Sequence, residues 1–416
     1  MRAPAPIAAA VLSLVLAGCT LSRPDYITPG VTVGESAFVR AVEAHTLSGL
    51  IEGNRADVLV NGDEIFPAML AAIRAARRTI TFANFSWEDG DVAREMVEAL
   101  AERCRAGVGV NVLVDAIGSS GMPKEQQRAL AASGCHFARY KPVRPLTIKR
   151  INHRNHRRVL VVDGRIGFTG GTGIGDMWTG DGRQEGHWRQ TDVRVEGPIV
   201  RALQSAFVED WREATTLLLA GDAYFPALQP RGDLAIQSVK SSPASGAAEA
   251  YLLFLLAIDS ARTSIKITNP YFVPDERMSR ALAGAARRGV DVTLITSGTV
   301  GGMQNRVVRK ASQAHYGRVL EAGVKIHEYG PAMLHAKTMV VDEQWVSIGS
   351  ANLDNASLAL NNELNVAFMD ERLAKHLTAI FDEDLKFTTP VTLEEWRRHV
   401  FRHLFYLPLI PLRDQL

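Results

Sequence analysis

This chain carries the same series of segments twice, so its fold has to accommodate two copies of one unit. Ala257-Ile258-Asp259-Ser260-Ala261-Arg262 echoes Ala72-Ile73-Arg74-Ala75-Ala76-Arg77, and Ile265-Lys266-Ile267-Thr268-Asn269 echoes Ile80-Thr81-Phe82-Ala83-Asn84. Within the first copy, helical spacing of apolar residues predicts helices over 65–77, 92–105 and 124–132. β-Branched runs predict strands over 79–83, 108–114 and 135–140 between them. The second copy repeats the order, with a helix over 278–288 and a strand over 290–296. Strands alternating with helices imply an α/β fold with helices on the faces of a sheet. Only one long stretch between the copies is rich in breakers: Gly221, Pro226, Pro230, Gly232 and Pro243 fall within residues 219–246, which therefore read as a linker.

Each copy ends in the same polar pattern. In the second it runs Leu334-His335-Ala336-Lys337-Thr338-Met339-Val340-Val341-Asp342 and continues through Gly349-Ser350-Ala351-Asn352. In a strand, residues two apart face the same side, so His335 and Lys337 point together. Imidazole, ammonium, hydroxyl and backbone amides in one place suit a phosphate group. The counterpart is His156-Arg157-Arg158-Val159-Leu160-Val161-Val162-Asp163, followed by Gly170-Gly171-Thr172-Gly173. Here Arg158 stands for the lysine, Gly171 for Ser350 and Gly173 for Asn352. Arginine keeps the charge with a different reach.

The pattern His-x-Lys-x4-Asp-x6-Gly-Ser-x-Asn resembles the signature of the phospholipase D superfamily. Asn269-Pro270-Tyr271-Phe272-Val273-Pro274-Asp275 and Asn352-Leu353-Asp354-Asn355-Ala356-Ser357 resemble bacterial cardiolipin synthases in particular. The resemblance implies two duplicated α/β/α sandwich domains related by a pseudo-twofold axis, with one active site at their interface. It implies a catalytic set of His156, Arg158 and Asp163 with His335, Lys337 and Asp342, the two aspartates ending buried strands as structural groups. One histidine, His156 in the family's usual assignment, would form a covalent phosphohistidine while His335 serves as general acid and base. Asn352, Ser350 and Gly171 would bind phosphate. Glu363 sits where the family places a carboxylate that orients a catalytic histidine. Its counterpart is Gln190, with Asp192 on the same strand face as a substitute. The implied reaction moves a phosphatidyl group between phospholipids, requiring neither cofactor nor metal. A hydrolase with the same pocket, phospholipase or nuclease, is the nearest alternative. A non-catalytic headgroup-binding lipoprotein is a further one.

The ends concern location. Arg2 followed by the apolar residues 7–16 reads as a signal peptide, too short to span a bilayer as a helix. Leu16-Ala17-Gly18-Cys19 resembles a lipoprotein cleavage box, so residues 1–18 are expected to leave and Cys19 to carry lipid. Export to an oxidising compartment would allow Cys104 and Cys135 to pair, although spacing alone does not give their separation. Residues 19–45 read as a tether, 46–218 and 247–390 as the two domains, and 391–416 as a tail whose arginines and aromatics suit a lipid interface. The expected setting is the periplasm-facing cell envelope, the outer membrane being favoured by Thr20 after the cysteine. The formal net charge of +2 among 416 residues is too balanced to imply a nucleic-acid footprint, and the resemblance makes phospholipids and a membrane surface the expected partners. A basic cluster of Lys149, Arg150, His153, Arg154, Arg157 and Arg158 beside the first motif reads either as a solvated loop or as an attractor of anionic headgroups.

Overall fold

The computed structural model describes residues 30–142, 153–242 and 248–398. The first half runs α1 (Ser36–Thr46), β1 (Leu50–Val60), α2 (Asn61–Ala75), β2 (Thr79–Asn84), α3 (Asp91–Arg105), β3 (Gly109–Asp115), α4 (Lys124–Ala132), β4 (His136–Tyr140), β5 (Val159–Val162), β6 (Ile166–Thr169), β7 (Thr191–Glu196) and α5 (Val200–Ala214). The second runs β8 (Leu234–Ser241), α6 (Glu249–Ser260), β9 (Ser264–Thr268), β10 (Phe272–Val273), α7 (Glu276–Arg287), β11 (Asp291–Ser297), α8 (Gly302–Glu321) and β12 (Lys325–Tyr329). It continues with β13 (Thr338–Val341), β14 (Trp345–Gly349), β15 (Leu353–Asp354), α9 (Asn355–Ala359), β16 (Glu363–Met369), α10 (Glu371–Leu385), β17 (Thr388–Val391) and α11 (Leu393–Arg398).

Among the described residues fifteen strands form one sheet, in the order β17-β12-β11-β9-β13-β14-β16-β8-β1-β7-β6-β5-β2-β3-β4. Read outward from its centre in either direction, the order is the same: β1-β7-β6-β5-β2-β3-β4 one way and β8-β16-β14-β13-β9-β11-β12 the other. The duplication is therefore a pseudo-twofold, and the two copies join where β1 and β8 pair antiparallel, Ile51 opposite Ile236. Both β5 and β13 are short apolar strands, each paired to the strand of its own copy that follows the first helix, β2 and β9. Lateral pairing of these buried strands puts both motif histidines just before the strand start, at the same edge of the molecule's centre.

Helices cover both faces. α2 and α3 close a core over the first half around Ile73, Met96 and Leu100, and α6, α7 and α8 close another over the second. On the opposite face lies one shared core. It joins Leu203, Phe207 and Trp211 of α5 to Val340, Ile348 and Leu364 of the second half and to Leu373 and Leu377 of α10. Each such side chain contributes about 1.5–3 kcal/mol on burial, and here that energy bridges the two copies.

Three boundaries differ from the sequence reading. Residues 219–246 are not simply a linker, because β8 within them is the opening strand of the second copy and central to the sheet. The short apolar run Leu234-Ala235-Ile236 is masked in the sequence by the surrounding prolines and serines. Residues 31–45 are not a free tether either: Val33, Phe38 and Val42 are buried, α1 packs on α6, and Phe38 meets Trp345 edge-on at 6.3 Å. At the other end, β17 pairs with β12 and Trp396 donates its indole N–H to the Gln313 carbonyl at 2.6 Å. That part of the tail is therefore packed on the domain. Residues 399–416, and Cys19 with the whole signal segment, lie outside the described residues. Cys104 at the end of α3 and Cys135 before β4 are joined in a disulfide with Cα atoms 5.5 Å apart.

Candidate active site

Two crossings of the pseudo-twofold build the site. The His156 N–H donates to the Asn362 carbonyl at 3.0 Å, and the His335 N–H donates to the Arg189 carbonyl at 2.8 Å. Asn362 lies one residue before β16 and Arg189 two before β7, so each histidine is stitched to the strand entrance of the other half. Those entrances are themselves clamped across the seam. Asp210 of α5 accepts from the Asn362 amide at 2.7 Å, and Asp384 of α10 takes Arg189 by two contacts of 2.8 Å. Phe207-Val208-Glu209-Asp210 and Phe381-Asp382-Glu383-Asp384 are matching positions of the duplication. The repeat therefore held a signal for both carboxylates that the sequence reading did not use.

The crossing decides which acid serves which histidine. Glu363 lies in the second half, yet its Oε1 stands 2.8 Å from Nδ1 of His156. The His156 imidazole and the Ser350 hydroxyl hold this carboxylate below its ordinary pKa against the effect of burial. An ionised carboxylate only accepts, so Nδ1 of His156 carries the proton and Nε2 keeps its lone pair. Burial first, and then the neighbouring Arg158 charge, push the His156 imidazole down to about 4, with Glu363 opposing. Phe85 stands edge-on to His156 at 4.8 Å and lies under the Arg158 guanidinium.

His335 meets a different wall. Its imidazole hydrogen-bonds with the Gly171 backbone of the first half, and burial with the Lys337, Arg158 and His156 charges holds it well below its ordinary value. The Lys337 ammonium donates to the His335 carbonyl at 2.7 Å, and Arg158 donates to that of His156 at 2.7 Å. All four side chains are buried; burial lowers the Arg158 guanidinium to about 10, and burial followed by the Arg158 charge lowers Lys337. The two motifs thus converge on one electropositive pocket.

The remaining predicted residues divide. Asp163 and Asp342 lie at the far ends of β5 and β13 from the histidines. There they accept backbone N–H groups of residues 77–79 and 262–264, locking the turn into β2 and β9. Both adopt left-handed backbone, φ 52° and 54°, which aspartate tolerates. They belong to the scaffold and not to the catalytic set. The Ser350 hydroxyl donates to Glu363 and accepts from the Leu364 N–H, so it orients the carboxylate and has no proton left for phosphate. Asp192 accepts from the Gly171 N–H at 3.0 Å, as Asn365 does from Ala351, and thus shapes the loop beside His335. Asn352 is buried with its side-chain carbonyl oxygen unpaired, as is that of Gln190. Of the basic cluster, Lys149 and Arg150 lie outside the described residues. Arg157 is fully buried against Asp210 and Glu209, and Arg154 lies near Asp115, so burial and pairing assign both to the scaffold.

The departures in the first motif prove to be one coupled exchange. A Cβ on Gly171 would come 2.5 Å from the Gln190 amide, and one on Gly173 would come 2.6 Å from the Trp178 ring. Glycine at 171 accompanies glutamine where the other half pairs serine with glutamate. Glycine at 173 makes room for an indole where the other half has Asn352. Trp178, Trp188 and Tyr271 surround His335 at 6.3, 5.2 and 6.3 Å between ring centroids. Neither tryptophan stood out in the sequence, whereas Tyr271 lies in the stretch 269–275 already singled out. The one hint was the pair of glycines, which leave space that something must fill.

Comparison with known proteins agrees with this arrangement. The family described as "Cardiolipin synthase, PLD-like domain" matches residues 69–211 and 254–385. The chain is 36% identical to cardiolipin synthase A of Pseudomonas fluorescens, over 87% of this chain and 74% of that protein. It is 33% identical to a cardiolipin synthase of Staphylococcus aureus, over 82% of this chain and 69% of that one. A solved phosphatidylserine synthase of Haemophilus influenzae shares the fold with a TM-score of 0.71, covering 92% of this chain and 100% of its own at 13% identity.

Proposed function

Since this chain belongs to the cardiolipin synthase, PLD-like family, we propose that it is a phosphatidyltransferase that joins two phospholipids through a phosphohistidine. The observation that carries the reading is the contact of His156 Nδ1 with Glu363 from the opposite half. It leaves Nε2 aimed by a fixed tautomer, as a nucleophile requires.

In the first step Nε2 of His156 attacks phosphorus, and the P–O bond to the leaving alcohol breaks. His335 supplies that alcohol's proton. Bound phosphodiester brings a negative charge into the pocket, which raises His335 towards its protonated form. Arg158 and Lys337 balance the charge that develops on the equatorial oxygens, with Asn352 as a further contact. In the second step an incoming alcohol gives its proton to the now neutral His335, its oxygen forms the new P–O bond, and the P–N bond breaks. Glu363 stabilises the imidazolium character of His156 throughout, as only an anion can. His335 carries its charge only while the bound phosphodiester is there to balance it, which fits Gln190 in place of the acid.

We infer further that Cys19 anchors the chain as a lipoprotein facing the periplasm. The signal-like segment before it supports this. Among the described residues no helix is long and apolar enough to cross a membrane.

The test uses purified protein with phosphatidylglycerol vesicles carrying two distinguishable acyl labels. A doubly labelled dimeric lipid with release of glycerol is expected, and His156→Ala and His335→Ala should each lose it. Phosphatidic acid as the sole product would make the protein a hydrolase instead. Dimeric lipid formed undiminished by both variants would remove the histidines from the chemistry.

A further inference from the structure

Resting on the transferase reading, the geometry points to Trp188, backed by Trp178, as the specificity-determining wall that lets an alcohol outcompete water at the phosphohistidine. The wall belongs to a strap peculiar to the first half. Residues 174–189 stand where the second half has only 353–362. In the second half that shorter stretch folds into β15 and α9. In the first it becomes a strap that leaves Trp178 buried and Trp188 partly exposed, with their rings 4.7 Å apart.

The strap is fastened on both sides of the seam. On the first half, Asn61 donates to the Asp181 carbonyl, and Asp63 donates its N–H to that of Gly180. Gly62 lies so close under residues 178 and 179 that a Cβ there would meet the Trp178 carbonyl oxygen at 2.2 Å. On the second half, the Tyr329 hydroxyl donates to the Gly182 carbonyl at 3.0 Å. Arg183 pairs with Glu383 at 3.2 Å and lies over the Phe387 ring at 4.6 Å. A segment tied to both halves presents its indoles in fixed positions.

Those positions bear on one histidine only. Trp188 lies 5.2 Å and Trp178 6.3 Å from the His335 ring. His335 handles the proton of both the leaving and the incoming alcohol, so the groups beside it border the place where the attacking oxygen sits. A partly exposed indole packed on a buried imidazole is the outer layer on that side. An indole wall offers a water molecule only the ring N–H as a hydrogen-bond partner, fewer than a polar lining would. A lipid alcohol gains by burying its glycerol carbons against the ring. Gly173 is the internal mark of this arrangement: only a residue without a Cβ admits the Trp178 ring beside it.

The experiment measures, for the full-length protein on phosphatidylglycerol vesicles, the ratio of dimeric lipid to phosphatidic acid and the total donor consumed. Trp188→Ala should lower the ratio about tenfold, the discrimination a single apolar contact supplies. Trp188→Phe, which keeps an aromatic face, should stay near the wild-type ratio. An alanine variant with the wild-type ratio overturns the inference. So does loss of donor cleavage in both variants, because the ring would then serve the first step and not the choice of acceptor. If wild type itself yields only phosphatidic acid, the transferase reading fails and this inference falls with it. Transfer by wild type with an unchanged ratio in Trp188→Ala rejects the wall alone.

Discussion

Lys337 shows what enclosing a cation for phosphate costs the fold. Its ammonium is fully enclosed, and both burial and Arg158 press it well below its ordinary pKa, with Glu363, Asp192 and Asp354 compensating only in part. A buried cation short of an anion is a source of instability that the substrate relieves. Lys337→Met keeps the stem and removes the charge. It should raise the ligand-free stability by about 1–3 kcal/mol in urea denaturation and lower kcat/KM by about 10²–10³-fold. A destabilised variant would mean that the ammonium is already well compensated. His335 and Lys337, two apart before an apolar run, were legible as a phosphate-facing pair because the sequence pattern reads as extended chain, in which residues two apart share a side, although β13 itself begins at Thr338. The assignment of Glu363 to His156 was not, since the contact joins residues 207 positions apart through a crossing that no local pattern encodes.

Among the elements, most helices and strands followed from periodicity, and α4 matches its expected residues 124–132. β8 was hidden because Pro230, Gly232 and Pro243 surround it, although Ile236 and Val239, on its opposite faces, are buried in the cores on the two sides of the sheet. The Cys104–Cys135 disulfide clips α3 to the entry of β4 across 31 positions of sequence. Closing a loop of that size removes chain entropy worth about 3 kcal/mol from the unfolded state. Cys104→Ser with Cys135→Ser should lose roughly that much stability, read from the urea midpoint of oxidised protein. The active site should keep its turnover at permissive temperature, because no histidine contact passes through α3. Wild-type stability in the double variant would mean that packing around Cys135 already holds the element.

At the scale of the whole molecule, the two halves share a sheet, a core and a pair of crossed clamps. The Asp384–Arg189 contact illustrates the coupling: it lies on α10, holds the segment before β7, and through the Arg189 carbonyl sets His335. Asp384→Ala leaves a buried guanidinium without its anion. It should cost about 3–5 kcal/mol of stability and reduce kcat more than KM, as expected for a misplaced general acid. Thermal denaturation together with initial rates on vesicles checks both parts. A variant that is destabilised but has an unchanged kcat would confine the clamp to folding.

The sequence by itself determined that there are two copies, that each is an alternating α/β unit, and that each ends in an imidazole and a cation on one strand face. These follow from patterns that local chain geometry enforces: period, turn chemistry and the two-residue repeat of a strand. Only the tertiary structure decided that each histidine is held by the other half, that Asp163 and Asp342 serve backbone turns, and that tryptophans stand beside His335 alone. Those outcomes depend on which surfaces meet when the second copy packs on the first, and hydrophobic burial is satisfied by shape across the whole core and not by neighbours in sequence.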